Sequence, residues 1–584
     1  MRIRFDDSAV QTAFALLAVL CLAAQVRLWG ISWDGLSGLQ PDERHLLFLT
    51  QEMFHALADP AQARWGLSHW WFGPESPLNP HLAERSYVYG EAPLLAGVLI
   101  GRAFGATDWF AFMALARGVS VMLDTTTVLA VFLGARLLAG NAAGLFAAIL
   151  YASMPTALQL AGFHTVDVWL SAATAATLVP LLALATGRWG KAGPEAMAGL
   201  AGLLLGLAVA SKITGLLLVL PAVFALGLAV RRGLPWPRAG LALAIAVLAA
   251  LLAFRLANPF AFQGPGFWGL RLSADWIEDF AGLSMVTASA AFPPNWQWTA
   301  GYGPLALLRD LALFGLGPVA AGLVVGRICC DGRGWGAAIV PLLAFLAFLL
   351  MTEFSSVSAL RYAAPGFAAL AMVLAPLMAR LGRGWVLAAL LAALWWGAGA
   401  ARLHDGQHPR LAASHWLWSL PRGTVLTNET AWDEPLPSIL ALAPGEPFRW
   451  PTHEAWFDLQ VLEMTDEDSA EKADRMAALL ARTDFLILSS DRQSAVMPRL
   501  PDRFPMTTAH YAALFAGEAC FAPVLTIDRG YPLPGLSLDD SWAQEPWRVY
   551  DHPVVRIFRR ESCFDAARYA AFLKVALTGQ SPVD

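Results

Sequence analysis

Long apolar runs broken by short polar stretches dominate the first two thirds of the chain. They lie at roughly residues 10–29, 91–105, 115–135, 143–161, 168–186, 196–210, 213–230, 239–257, 304–326, 337–351, 363–379 and 384–400. Most are long enough to cross a hydrocarbon core of about 30 Å as α-helices, which predicts a mainly α, polytopic membrane protein. The run "GEAPLLAGVLIGRAFG" at 90–105 is short for a span and reads as a re-entrant or surface-lying helix. After Arg402 the pattern changes. "TVLTNE" (424–429), "DFLILSS" (484–490) and "VVRIFRR" (554–560) read as strands, and "SAEKADRMAALLART" (469–483) as an amphipathic helix. This predicts a transmembrane domain over 1–401 and one soluble α/β domain over 402–584.

Charge then sets the number of spans. With 90–105 left out, the breaks on the side of the N-terminus carry Arg136, Arg188, Lys191, Arg231, Arg232, Arg238, Arg327, Arg333, Arg380 and Arg383. The opposite short breaks hold chiefly Lys212 and Arg361. Basic residues favour the cytoplasmic side, so the expectation is about eleven transmembrane helices with a cytoplasmic N-terminus. The loops 30–90, 162–167, 211–212, 258–303 and 352–362 then share the outer face with everything after residue 401. Arg2 and Arg4 precede a long first run with no small-residue cleavage site, so this run reads as an uncleaved span.

Composition agrees with a membrane chain: of 584 residues, 57% are hydrophobic and only 15% charged, against about a quarter charged in soluble domains. The 24 Trp suit membrane interfaces. A net charge of −5 gives no electrostatic case for a nucleic-acid partner. Among the five cysteines, Cys329 and Cys330 fall in a short loop. Cys520 and Cys563 can pair if the C-terminal part lies in an oxidising compartment, or stay apart.

Candidate chemistry clusters in the outer loops. In "LQPDERHLLF" (39–48), Pro41 suits a first helical turn, where the dipole favours Asp42 and Glu43. Leu46, Leu49, Met53 and Leu57 then form one apolar stripe. Adjacent helical residues do not share a face, so at most one of the two carboxylates points at a given site. The pair reads either as first-turn charges or as chemistry. In "FHTVDVW" (163–169), His164 and Asp167 share a face if helical, or Asp167 caps the next span. Lys212 in "ASKITG" (210–215), Arg361 and Tyr362 in "SALRYAAP" (358–365), Arg117 and Arg102 each fit an interfacial anchor or a phosphate ligand. Tyr89, Trp296 and Trp298, in two loops rich in Pro, Gly and aromatics, fit sugar stacking or an interfacial belt. Asp124, inside an apolar run, reads as a polar contact between helices.

Taken in order, "QPDE", "SPLNP…YGEAPLL", "RGVSVMLDTTTVLAVFLGARLLAG", "HTVD", "SKITG" and "RYAAP" resemble the membrane glycosyltransferases of the GT-C type over about residues 10–400. The likeness is to family 39 and its bacterial relatives, the protein O-mannosyltransferases and lipid A aminoarabinose transferases. "DFLILSSDR", "RLPDRFP" and "EPWRVYDHPVVRIF" resemble the outer domain of some bacterial members, whose role the family does not imply. The resemblance implies a GT-C fold in a bacterial inner membrane, with the C-terminal domain periplasmic. It implies a polyprenyl-phosphate-linked sugar as donor and a lipid, glycan or protein hydroxyl as acceptor. A hexosyl or pentosyl group would transfer with inversion. Asp42 matches the family's catalytic acid position and would act as general base, kept ionised by the helix dipole and Arg44. Asp167 matches the second acidic position, orienting the acceptor or sharing Mg or Mn with Asp42. No dense acidic cluster calls for an obligatory metal. Lys212, Arg361 or Arg117 would stabilise the leaving phosphate; Tyr362, His164 and Tyr89 would line the site, and Glu43 would support the helix start or a neighbouring cation. Competing readings are a polytopic transporter, a ligase or polymerase using a lipid-linked saccharide, and a structural membrane protein with an outer binding domain.

Overall fold

The computed structural model describes residues 7–59, 66–82, 85–288, 293–330, 335–429, 435–438 and 456–578. The chain divides into two compact units. The first comprises residues 1–31, 42–288 and 304–402, and the second 32–41, 289–303 and 403–584. The stretches 32–41 and 293–303 therefore belong with the C-terminal part, although the sequence placed them in the transmembrane domain.

The first unit is helical. Among the described residues, eight helices are long and apolar enough to cross a membrane, or up to ten if each of two bent pairs is one span. The expectation of about eleven differs at three runs, of which 143–161 bends by 66° between Asn141–Ala152 and Pro155–Ala161. The run 304–326 bends by 117° between Pro304–Gly315 and Pro318–Cys329. The break has a local cause: Gly317 at φ +79° precedes Pro318, which cannot continue the preceding helix's hydrogen bonds. The run 363–379 gives only a short helix, Pro365–Met378, which starts at its proline and is almost wholly buried. Ala92–Ala103 is likewise shorter than a span. Cys329 lies in the last turn of Pro318–Cys330 rather than in a loop.

Close helix packing comes from small residues. A Cβ on Gly202 would lie 2.0 Å from the Ala246 carbonyl oxygen, and one on Gly206 2.3 Å from that of Ala250. Four residues apart, these glycines let Gly193–Ser211 press on Trp236–Ala257. Asp124 is neutralised inside the bundle: Arg27 pairs with its carboxylate, and Tyr151 Oη donates to Oδ1 at 2.5 Å. This joins the helices Asp7–Leu28, Trp109–Ala139 and Asn141–Ala152. Polar contacts of this kind can hold helices together in a membrane.

The second unit holds a five-stranded sheet, from β1 (Val425–Glu429), β2 (Asp458–Leu462), β3 (Phe485–Leu488), β4 (Phe521–Ile527) and β7 (Val555–Arg560), in the order β2-β1-β3-β7-β4. The β1 strand pairs parallel with β2 and β3, while β7 pairs antiparallel with β3 and β4. A hairpin of β5 (Tyr531–Leu533) and β6 (Leu536–Leu538) follows β4. Alternation divides the faces. Leu486, Leu488 and Phe558 pack with Met476, Leu480, Tyr511, Leu514 and Leu573 from three helices. Ile487, Leu426 and Ile557 pack with Ala413 and Leu417. Cys520 and Cys563 form a disulfide. Trp33 stacks on His404 at 4.0 Å, and the Trp33 carbonyl accepts the His408 N–H at 3.0 Å, which fixes 32–41 in this unit.

Candidate active site

The helix Pro41–Ala58 buries Leu46, Leu49 and Met53 as its stripe requires. Its first turn sends the two carboxylates apart. Glu43 is fully buried and takes a bidentate contact from Arg117, Nε to Oε1 at 2.9 Å and Nη2 to Oε2 at 2.7 Å. The His164 backbone N–H also donates to Glu43 Oε1 at 2.7 Å. Arg117 Nη1 reaches the Ile31 carbonyl at 2.7 Å. Glu43 therefore ties the turn that carries Asp42 to the turn that precedes Asp167.

Asp42 faces elsewhere. Its Oδ1 accepts the Tyr89 hydroxyl at 2.9 Å, and its Oδ2 is paired with Arg361. A cation on Asp42 thus comes from 319 residues away, in addition to the Arg44 next door that the sequence offers. Asp167, in the first turn of Val166–Thr186, binds Lys212 Nζ at 2.7 Å. The Lys212 ammonium lies 4.6 Å from the centre of the Tyr362 ring and 5.7 Å from that of Tyr89, within cation–π range. Tyr89, Tyr362 and the two ion pairs thus form one cluster. Burial first, and then the Asp42 carboxylate, push the Tyr89 hydroxyl well above its ordinary range, so it keeps its proton and donates to Asp42.

Local sequence explains the convergence. Gly90 donates its N–H to the Ser211 carbonyl at 3.2 Å, and a Cβ there would lie 2.0 Å from the Ala210 oxygen. Only glycine lets the loop bearing Tyr89 sit on the helix end that delivers Lys212. Lys212 itself is extended, between Gly193–Ser211 and the 3₁₀ turn Ile213–Leu218. Glu91 secures the loop from the other side: its N–H meets Asn258 Oδ1 at 2.7 Å, and its Oε2 accepts the Phe260 N–H at 2.8 Å. Sequence reasoning missed Asn258, although "NPF" closing an apolar run marks a structured exit.

The structure brings together Asp42, Tyr89, Asp167, Lys212, Arg361 and Tyr362, and corrects three other assignments. Arg117 is completely buried on Glu43, so it braces the site and offers nothing to a phosphate. His164 precedes the helix rather than sharing a face with Asp167. Its buried ring lies edge-on to Phe112 at 6.0 Å, and its ring nitrogens have no hydrogen-bond partner among the described residues. Burial, and then Arg117, lower its pKa to about 4, so it is neutral near pH 7 and supplies no positive charge. Trp296 is enclosed in the second unit by Phe504 and Arg503 and presents no face to a sugar. Arg102 donates to the Leu57 carbonyl.

The two acidic residues of the cluster are both engaged by cations in this structure, and a metal between Asp42 and Asp167 would face Arg361 and Lys212. Among the described residues, no group of three or more His, Cys, Asp or Glu is gathered for one.

The family model for dolichyl-phosphate-mannose-protein mannosyltransferase matches residues 104–255. That span contains Arg117, Asp167 and Lys212, and it falls on the family that the motifs resemble. No curated protein matches the chain. Among solved structures, ArnT from Cupriavidus metallidurans bound to undecaprenyl phosphate is 16% identical with a TM-score of 0.45, covering 84% of this chain and 95% of that one. Archaeal oligosaccharyltransferase AglB from Archaeoglobus fulgidus, in complex with an inhibitory peptide and a dolichol-phosphate, is 16% identical with a TM-score of 0.44, covering 89% and 74%. Arabinofuranosyltransferase AftD from Mycobacteria is 14% identical with a TM-score of 0.40, covering 94% and 42%.

Proposed function

We propose that this protein is a membrane glycosyltransferase that moves a sugar from a polyprenyl-phosphate carrier to an acceptor hydroxyl. The observation that carries this reading is the pairing of two carboxylates with two cations in one aromatic-lined cluster. Side-chain exposure divides their roles. Asp42 is 24% exposed and Asp167 only 4%, so Asp42 is the carboxylate that an acceptor can reach. Asp167 aims Lys212.

In the reaction, the acceptor oxygen bonds to the anomeric carbon as the bond from that carbon to the phosphate oxygen breaks. The acceptor proton passes to Asp42 Oδ, and the polyprenyl phosphate leaves with the electron pair and one more negative charge. Lys212 and Arg361 stabilise that charge as it grows. An arginine has five N–H donors, so Arg361 can hold Asp42 and a phosphate oxygen together. Attack opposite the leaving phosphate inverts the anomeric centre. The family match over 104–255 supports the donor class. The Cys520–Cys563 disulfide supports an oxidising, periplasmic location for the second unit; the basic residues in the breaks on the side of the N-terminus support a cytoplasmic N-terminus, which would put the site on the outer face of a bacterial inner membrane. Sugar and acceptor are tested together by mass spectrometry of lipids and envelope glycans from a strain lacking the protein. The reading requires a polyprenyl-phosphate sugar to accumulate and one sugar to disappear from an acceptor. Unchanged glycans and carrier lipids, with loss of uptake of a solute, would replace it with the transporter.

A further inference from the structure

The end of the first unit remote from the proposed active site carries a pocket that sugar transfer does not use. The 31-residue helix Trp109–Ala139 holds Arg117 at one end and Arg136 in its last turn, roughly 28 Å apart at 1.5 Å per residue. Asp167 opens the helix Val166–Thr186, and Arg188 follows its other end. Such a separation matches a hydrocarbon core of about 30 Å, so Arg136 and Arg188 stand at the headgroup layer opposite the active site.

A cavity of about 440 Å³ lies between these helix ends. Leu133, Leu137, Val179 and Ala183 give it apolar walls; Arg136, Asn141 and Arg188 bring the polar groups, and none of its lining residues is acidic. Arg136 is exposed and has no side-chain partner among the described residues. Arg188 spends one N–H on the Leu137 carbonyl at 3.0 Å, and its planar fork keeps other donors for a ligand. The helix Asn141–Ala152 begins at the cavity, and Gly140 gives its first N–H groups no side-chain cap. Interfacial arginines that only anchor a helix need no concavity. Here two guanidiniums stand over aliphatic walls, which suits a phosphate with hydrocarbon attached.

We propose that this cavity binds the phosphate head group of an anionic glycerophospholipid in the leaflet opposite the active site. Arg136 and Arg188 would hold the phosphate, and the apolar walls the first acyl carbons.

The test is native mass spectrometry of the detergent-purified full-length protein with phosphatidylglycerol, with phosphatidylcholine of the same chains, and with inorganic phosphate alone. The expected result is preferential retention of one phosphatidylglycerol, falling about five-fold for each arginine removed in Arg136→Gln and Arg188→Gln. Asn141→Asp covers the case in which those variants do not fold. It puts a negative charge where the helix dipole tolerates one, yet it should repel the lipid phosphate. Equal retention of the two lipids overturns the proposal. So does retention unchanged in the variants, or full displacement of the lipid by inorganic phosphate, which would make the cavity a free-anion site.

Discussion

The buried Glu43–Arg117 pair gives the sharpest test of how the site is held. Both side chains are fully excluded from solvent, and Glu43 also accepts the His164 N–H. Arg117→Leu leaves a buried carboxylate with a lost bidentate partner, a change that costs about 3–5 kcal/mol in comparable buried pairs. Glu43→Leu strands a guanidinium at the same order of cost. The double variant Glu43→Leu/Arg117→Leu removes both charges and leaves the His164 N–H without its carboxylate, about 1–3 kcal/mol. The two single losses therefore should not add, and the coupling should favour the double variant by several kcal/mol. Denaturant unfolding of the purified protein in a fixed detergent reads these values. Donor KM, corrected for the folded fraction, should stay near wild type in Arg117→Leu. A raised KM with unchanged stability would refute the brace and return Arg117 to phosphate binding.

Other outcomes follow from the same geometry. Lys212→Met should raise donor KM and lower kcat together, and Asp167→Asn should reproduce part of that loss because it releases Lys212 from its 2.7 Å partner; steady-state kinetics with a lipid-linked donor decides. Burial raises Glu429 to about 8, so the folded state retains a proton that the unfolded chain has lost. Its contribution makes stability fall as pH rises from the usual carboxylate range to about 8. Glu429→Gln should thus stabilise the protein at pH 9 and change little at pH 4, read as thermal midpoints. Cys520→Ser opens a crosslink that spans 43 residues, and should destabilise the second unit by about 2–4 kcal/mol, seen as faster amide exchange in β4 and β7.

Much of the candidate cluster was legible because each residue marks an element boundary. Asp42 follows Pro41, Asp167 opens a span, and Lys212 and Arg361 break apolar runs, so period and charge placed them on one face. Their pairing was not legible. Which cation meets Asp42 depends on a contact between residues 319 apart, and no local pattern encodes it. Arg117 was misread for the same reason: its spacing fits an interfacial cation until Glu43 is seen turning inward. Strands β1, β3 and β7 followed from short apolar runs flanked by turns. The attachment of 32–41 and 293–303 to the second unit did not, because it rests on ring and carbonyl contacts such as Trp33 with His404 and Trp296 with Phe504. The bend at Gly317–Pro318 was readable in principle, but an unbroken apolar run masked it.

The central claim is that Asp42 takes the acceptor proton while cations hold the leaving phosphate. The direct measurement is single-turnover transfer from a polyprenyl-phosphate sugar by wild type and Asp42→Asn, at equal amounts of folded protein. Asparagine keeps the shape but cannot accept the proton, and it frees Arg361 for the phosphate. Transfer should therefore slow by about 10²–10⁴-fold, while donor affinity holds or tightens. Transfer at the wild-type rate, or a weakened affinity with the rate intact, would contradict the assignment.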